Sequence, residues 1–165
     1  MNTVFSIGKD VEDDSYNELL GCLLNKLSKF HLVWLDNANY SDNAIEIREK
    51  LSRWEINRAR RSAWPGICYS SSKPIATVIF YKTNPRQIEI LKQTKSLFGW
   101  MSPKWPEDIG FYGEDGLCKF ATVSHEKEGW LFDADIASLL SDSVFLEEEE
   151  WSEKQFEIFD SPVEL

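Results

Sequence analysis

Residues with catalytic potential occur together at Ser124-His125-Glu126, where a hydroxyl could act as a nucleophile beside an imidazole base. Neighbouring side chains of a strand point to opposite faces of the sheet, and known catalytic triads assemble from positions that are distant in sequence. We therefore expect His125 to lie at the end of a strand and to bond to the backbone. A small enzyme centred on His125 is kept as an alternative hypothesis.

Two pairs of acidic residues, Glu107-Asp108 and Asp133-Asp135, could serve as the paired carboxylates of glycoside hydrolysis or of metal chemistry. Carboxylates are common where strands and helices begin, so roles in caps and turns are the simpler interpretation. His31 lies in an apolar stretch that favours a buried structural ring, and two isolated histidines do not make a zinc site. We expect no catalytic residue, no metal and no cofactor.

A cluster of basic residues, Arg58 to Arg61, has Trp54 and Trp64 close by in the sequence. Cations that contact phosphates, with aromatic rings that stack on bases, are typical of nucleic-acid-binding modules, so this function is a second alternative. The formal net charge of the chain is −10, and the rest of the molecule would repel an anionic backbone. We expect these arginines to bond within the fold, for example to the acidic C-terminus, and we expect no direct nucleic-acid partner.

The C-terminal segment, residues 142–165, contains nine acidic residues and one basic residue. One interpretation is a solvated tail that only keeps the protein soluble. The segment also contains aromatic residues, which could pack on the domain and hold the carboxylates at a defined surface, or could anchor a partner. The residues that we predict to bind a partner are Glu147, Glu148, Glu149, Glu150, Trp151, Glu153, Phe156 and Glu157.

An acidic surface of this kind has a direct physical use in binding. A single exposed ion pair contributes only about 0 to 1 kcal/mol, so the carboxylates add little affinity one at a time. Acting together, they can raise the rate of association with a basic partner roughly 10- to 1000-fold, and aromatic contacts would then slow dissociation. That combination suits an inhibitor that must capture a basic protein quickly.

The composition is that of an ordinary globular protein. The 165 residues include 42% hydrophobic residues and seven tryptophans, so the chain is long enough for one domain with a single core. Its three cysteines are widely spaced, which argues against a disulfide framework and favours a reducing compartment. No apolar run approaches the length that spans a bilayer. We predict one cytoplasmic domain, residues 1–165, with no contact to membranes.

The pattern along the chain predicts an α+β fold, with a mainly antiparallel sheet and three or four packed helices. A first helix has apolar residues at helical spacing from Tyr16 to Phe30, with a capping box formed by Ser15 and Glu18. The other predicted helices are one capped by Ser41 or Asp42, one that runs from Asn84-Pro85 to Gly99, and a short one capped by Asp133 or Asp135. The predicted strands cover residues 31–36, 75–81, 109–112, 117–124 and 130–132.

Three motifs carry a resemblance to a known group of proteins: Trp64-Pro65-Gly66, the run from Pro106 to Tyr112, and the run from Val123 to Glu126. With the elements between them, they cover residues 60–140. The segment resembles a family of small bacterial proteins, some of which accompany toxin genes as immunity proteins, including in contact-dependent growth-inhibition systems.

The resemblance implies a cytoplasmic protein that binds and neutralises a cognate toxin, often a nuclease with a basic active-site cleft. The shared motifs shape the backbone through turns, so we assign no functional residue from them. Partner choice would then lie outside the resemblance, in residues such as those of the acidic C-terminal segment.

Overall fold

The computed structural model describes residues 2–140, 142 and 144–159. They form a single α+β domain whose main sheet has eight strands, and the paired strands run antiparallel throughout. This confirms the predicted fold class. The strands are β1 Asn2–Ile7, β2 Lys29–Leu35, β3 Glu55–Arg61, β4 Ala63–Trp64, β5 Ile67–Cys68, β6 Ala76–Lys82, β7 Glu107–Tyr112, β8 Cys118–Val123, β9 Glu128–Leu131 and β10 Leu146–Trp151. The helices are α1 Asp13–Lys26, α2 Asp42–Leu51, α3 Ile88–Leu91, α4 Ala134–Leu139 and α5 Glu153–Phe156.

The order of the strands in the main sheet is β10-β1-β9-β8-β7-β2-β6-β3. The two strands β3 and β10 therefore form the two edges of this sheet, and β4 and β5 pair separately. The apolar strand β6 lies between β2 and β3, as its β-branched and aromatic residues predict for an interior strand. None of the described helices has the length and apolar character needed to cross a bilayer.

The main core lies between one face of the sheet and the helices. The apolar stripe of α1 is fully buried there. In the N-terminal part of this helix, the buried hydroxyl of Tyr16 makes three hydrogen bonds. This hydroxyl donates to the carbonyl of Leu91 and accepts from Thr94 Oγ1 and Trp100 Nε1. A buried hydroxyl with three partners is satisfied, so it costs little stability.

The other face of the sheet is also covered, by two smaller apolar clusters. One contains Trp64 of β4 with residues of β2, β6 and β7. The second contains Val4, Ala121, Trp151 and Phe159, which join β1, β8, β10 and the residues after α5. The C-terminal part of the chain therefore belongs to the packed structure as far as residue 159.

Several predicted helix boundaries are confirmed by their caps. Ser41 Oγ accepts from the amide of Ala44 at the start of α2, and Asp133 accepts from the amide of Ile136 at the start of α4. The predicted capping box of α1 is wrong. This helix begins at Asp13, with Glu12 as its N-cap, so Ser15 already lies inside it. The amide of Asp13 donates to the carbonyl of Lys95, a tertiary contact that local sequence does not reveal.

The helix predicted from Asn84-Pro85 to Gly99 is present only as short pieces. Asn84 and Gln87 form a capping box, but a single turn of α-helix, α3, is flanked by 3₁₀ turns. Lys95 then adopts a left-handed conformation with φ of 65°, which reverses the chain before a last 3₁₀ turn. The buried Oγ1 of Thr94, whose single proton the Tyr16 hydroxyl accepts at 2.8 Å, also lies 3.3 Å from the carbonyl oxygen of Leu91 and 3.1 Å from that of Ser96, which places this side chain at the break.

Candidate binding site at the acidic edge of the sheet

The glutamate run forms most of an ordered strand, β10, at one edge of the sheet. Its pairing with β1 is continuous, from Trp151 opposite Asn2 to Leu146 opposite Ile7. Among the described residues no strand pairs with its outer side. The four glutamates Glu147 to Glu150, which we call the acidic edge, are therefore fixed in position. The predicted acidic segment continues through Asp160 and Glu164, which lie outside the described residues.

All four side chains of the acidic edge are exposed. Glu150 accepts a hydrogen bond of 2.8 Å from Thr3 Oγ1, and Glu149 accepts bonds of 3.0 Å from Ser6 Oγ and from Trp151 Nε1. Successive residues of a strand point to opposite faces, so the carboxylates appear on both faces of this edge. The edge therefore presents negative charge in several directions.

The aromatic residues after the acidic edge hold it against the domain. Trp151 is 8% exposed, and its ring packs against Trp130, Phe132, Phe156 and Phe159 at centroid distances of 5.4 to 6.2 Å. Ser152 and Gln155 form a capping box at the start of α5. Of the two roles that the sequence left open for the aromatics, packing on the domain describes Trp151 and, in part, the half-buried Phe156. Glu153 and Glu157 are exposed on the same segment.

A groove of about 520 Å³ lies beside the acidic edge, between α4 and β10. Its lining includes Phe5, Ala137 and Leu146, together with the acidic residues Glu147 and Glu148. The ring of Phe145 also lines it and is 50% exposed. An apolar floor with carboxylates around it can accept a cationic side chain that has an apolar stem.

The basic cluster lies on β3, at the opposite edge of the sheet from the glutamates. The expected pairing of these arginines with the acidic C-terminus is therefore wrong for the described residues. Arg58 pairs with Glu55 and Arg60 pairs with Asp36, both at exposed positions. The hydrogen bonds from Arg60 lower the pKa of Asp36. The other part of the expectation, that these arginines bond within the fold, is confirmed for both.

The two tryptophans near the basic cluster are not arranged for stacking on bases. Trp64 is buried, and its indole N–H donates to Asp108 at 3.0 Å. Trp54 packs partly against the main core, with the guanidinium of Arg53 4.7 Å from its ring centroid. Within the described part of the chain, Arg58 to Arg61 are therefore not brought together with a free face of either tryptophan.

A second group of polar residues lies where β7 meets the turn after β8. The ligand atoms of Glu107, Asp108 and His125 all lie within 4.8 Å of one another, a set of donors that could hold a divalent cation. Both oxygens of Asp108 already accept hydrogen bonds, from Trp64 Nε1 and from the amide of Ser124. Burial raises the pKa of Asp108 to about 6.

Ser124 and His125 are not arranged as a nucleophile and its general base. The hydroxyl of Ser124 is buried and has no hydrogen-bond partner among the described residues, so it does not bond to the imidazole. His125 itself is exposed, and its Nε2 lies 3.9 Å from a carboxylate oxygen of Glu126. His125 lies in the turn that directly follows β8, so its expected position at the end of a strand is confirmed. The expected bond to the backbone is wrong, because the imidazole has no backbone partner among the described residues.

Sequence reasoning missed the residues that complete the groove. Phe5 of β1 lies near the other end of the chain from the glutamates, and Ala134 and Ala137 of α4 precede them by a short stretch; none of the three carries a functional signal of its own. The pairing of β1 with β10 brings Phe5 to the site, opposite Glu148, and α4 packs against β1. Neither a protein-family model, nor a curated protein, nor a solved structure matches the chain.

Proposed function

We propose that this chain is an immunity-type protein of the cytoplasm, which binds a basic toxin and neutralises it by covering its substrate-binding surface. The target that fits best is a nuclease, since its cleft must be positively charged to bind an anionic backbone. The observation that carries the proposal is the acidic edge: four exposed carboxylates on an ordered strand. The functional class comes from the motifs of residues 60–140, which resemble a family of small bacterial proteins, some of which accompany toxin genes as immunity proteins.

The ordered state of the acidic edge favours binding over mere solubility. A disordered acidic tail would lose conformational entropy when it bound a partner. Here the hydrogen bonds to Thr3 and Ser6 and the packing of Trp151 already hold the segment in place. Carboxylates fixed in this way can match a fixed set of cations on a partner.

The distribution of charge favours the acidic edge as the contact surface. The net charge of −10 gives a field that attracts cationic proteins, and the glutamates concentrate that field at one end of the sheet. The basic strand β3 lies at the far end, where it does not weaken the attraction. A partner with a basic cleft would therefore be oriented toward β10 as it approaches.

A growth-protection assay tests the proposal. The product of the gene directly upstream is expressed in a bacterium with and without this protein, and the protein is expected to relieve the growth arrest that the product causes. The two proteins should form a 1:1 complex, as measured by light scattering. An upstream product that is harmless, or an arrest that this protein does not relieve, would contradict the proposal.

Association kinetics then test the role of the acidic edge. Replacing Glu147 to Glu150 by glutamine is expected to slow association with the toxin roughly 10-fold or more at about 0.05 M salt, and to flatten its salt dependence. A control variant loses the same charge at four exposed glutamates outside β10: Glu46, Glu49, Glu89 and Glu114. If the two variants slow association equally, the acidic edge does not account for the electrostatic acceleration of binding.

A further inference from the structure

We propose that the groove between α4 and β10 binds an arginine side chain of the basic partner. This inference rests on the proposed function, because it names the residue type with which the partner is held at the acidic edge. It concerns a single anchoring contact, in contrast to the long-range attraction described above. Anchors of this kind, set in a pocket and surrounded by weaker contacts, commonly dominate the affinity of an interface.

The groove has room for a long side chain because α4 presents small residues to it. Ala134 and Ala137 line the helix side, and Phe5, Val144 and Leu146 contribute apolar surface. Its volume of about 520 Å³ lies in the range of sites that accept small ligands. The methylene stem of an arginine can lie along such apolar surface while its charged end stays near polar groups.

The charge of the groove selects a cation. Three acidic residues, Asp142, Glu147 and Glu148, line the groove, and among the described residues no basic residue lines it, although Lys9 contacts the ring of Phe145. Successive residues of β10 alternate between faces, so only one of the carboxylates of Glu147 and Glu148 points toward the groove. A purely apolar side chain in this position would take water from those carboxylates without replacing it, which is unfavourable. An anionic group would be repelled. A cationic side chain with an apolar stem satisfies both parts of the lining.

The ring of Phe145 favours arginine over lysine. The ammonium of the chain's own Lys9 lies 4.6 Å from the centroid of this half-exposed ring, so the ring accepts a cation, and a guanidinium of the partner would have to displace Lys9 or use the other face. A guanidinium is planar and weakly hydrated, stacks on aromatic faces, and offers five donors in a fixed fork to nearby carboxylates. An ammonium offers three donors and holds its water more strongly.

The test compares two probes of equal length and charge, a short homo-arginine peptide and the matching homo-lysine peptide, both acetylated and amidated. Binding to the full chain is measured by calorimetry at moderate salt. The arginine peptide is expected to bind at least about 5-fold more tightly, because general charge attraction is the same for both probes. In backbone NMR spectra of the labelled protein, it should shift the amides of Ala137, Phe145 and Leu146 more than the lysine peptide does.

Two variants test whether the preference for the arginine peptide arises in the groove. Ala134→Trp fills the groove without altering any charge, and it is expected to abolish the preference for arginine. Phe145→Leu keeps an apolar side chain but removes the ring, so the preference should fall in part. Asn43→Trp, at an exposed position of α2, is the matched control and should bind both peptides as the wild type does. Thermal unfolding followed by circular dichroism verifies that each variant is folded.

The outcomes separate this inference from the proposed function. Equal binding of the two peptides to the wild type, or a preference that survives Ala134→Trp, overturns the arginine site. Protection from the toxin can persist in that case, and the proposed function then stands. Conversely, an arginine preference that Ala134→Trp removes, without any protection from the upstream product, supports the site and contradicts the function. If Ala134→Trp does not fold, the NMR shifts in the wild type decide.

Discussion

The imidazole of His31 lies in the interior of the sheet, with Nδ1 2.7 Å from the hydroxyl of Tyr112 and 1% of its surface exposed. The expected buried structural ring is therefore confirmed. Burial lowers its pKa to about 4, because the charged form loses its hydration there. Asp108 shows the opposite shift, since burial raises its pKa to about 6. As the pH falls, protonation of His31 therefore lowers the free energy of unfolding, whereas protonation of Asp108 raises it.

The stability of the fold is predicted to depend on His31 between pH 6.5 and about 4. The unfolded chain takes up a proton near pH 6.5 and the folded chain only near 4, so the contribution of His31 is present above pH 6.5 and is lost as the pH falls. The loss is on the order of 3 kcal/mol across this window. Asp108 partly offsets it, because its folded state binds a proton first as the pH falls below about 6.

Urea unfolding of His31→Gln at several pH values measures this effect. The variant loses the bond to Tyr112 and is less stable at pH 7, but its deficit relative to the wild type should shrink as the pH falls toward 4. Asn43→Gln, at an exposed position of α2 and without a titratable side chain, is the control and should keep the wild-type pH dependence. A deficit for His31→Gln that is the same at all pH values would contradict the prediction.

Gly110 provides a second test at the scale of single residues. A Cβ at this position would lie 2.4 Å from Cε1 of His31, a buried ring that has little room to move. We expect Gly110→Ala to lower the free energy of unfolding by about 1 to 3 kcal/mol, the usual cost of overpacking. Gly8→Ala is the matched control, because among the described residues no atom beyond its chain neighbours lies within 4 Å of the added Cβ. Denaturant melts that show equal stability for the two variants would argue against this packing.

At the scale of elements, β10 combines two properties. It is an edge strand, which generally invites pairing with another chain, and it carries four glutamates, which repel a second copy of itself. The same residues can therefore keep the protein from self-associating and leave the edge open to a basic partner. The aromatic cluster around Trp151 maintains the strand in spite of the repulsion between its carboxylates.

Replacing Glu147 to Glu150 by threonine is predicted to promote self-association. Threonine favours strands, and the variant would present an uncharged edge whose backbone groups can pair with another copy. Size-exclusion chromatography with light scattering should show larger species than in the wild type at equal concentration. The corresponding variant of Glu46, Glu49, Glu89 and Glu114 loses the same charge away from the edge and should behave as the wild type. Unchanged mass for both variants would contradict edge protection.

At the scale of the whole molecule, the sheet has opposite charges at its two ends. The acidic edge belongs to β10, while β3 at the far edge carries Arg58, Arg60 and Arg61. The two are therefore kept apart by the six strands between them, and Arg58 and Arg60 pair locally with Glu55 and Asp36. The protein therefore has an asymmetric distribution of charge across its sheet, which the order of charged residues in the sequence does not reveal.

This arrangement predicts weak binding to polyanions, which increases when the local partners of the arginines are removed. The wild type should elute from heparin at low salt, because its net charge of −10 repels the matrix. The double variant Asp36→Asn, Glu55→Gln should elute later than a control with equal charge, Glu46→Gln, Glu49→Gln. Identical elution of the two variants would show that β3 does not form a basic surface. Strong retention of the wild type would instead favour the nucleic-acid alternative.

Predictions from sequence succeeded where the signal is local. Ser41, Asn84 and Asp133 cap the segments that they were expected to cap, because a cap depends on the few residues that follow it. The hairpin of β7 and β8 and the interior strand β6 were likewise predictable from alternation and composition. The start of α1 was not, because a backbone contact of Asp13 to Lys95 fixes it from 82 positions along the chain.

The candidate site was predicted in part. The glutamates and their aromatic neighbours were identified from composition, but their strand conformation was not, since a run of like charges is a poor predictor of a strand. The convergence of Glu107, Asp108 and His125 was also missed. Those residues approach through the pairing of β7 with β8, and no spacing along the chain indicates how close their side chains come.

The sequence by itself determined the excess of negative charge, its concentration near the C-terminus, the α+β composition and the positions where several elements begin. Each of these depends on residue type or on neighbours within a few positions. Only the tertiary structure decided that the glutamates form an edge strand, that the arginines lie at the other edge, and that a groove opens between α4 and β10. The reason is that β10 pairs with β1, at the other end of the chain, and the choice of partner strand depends on the packing of the whole domain.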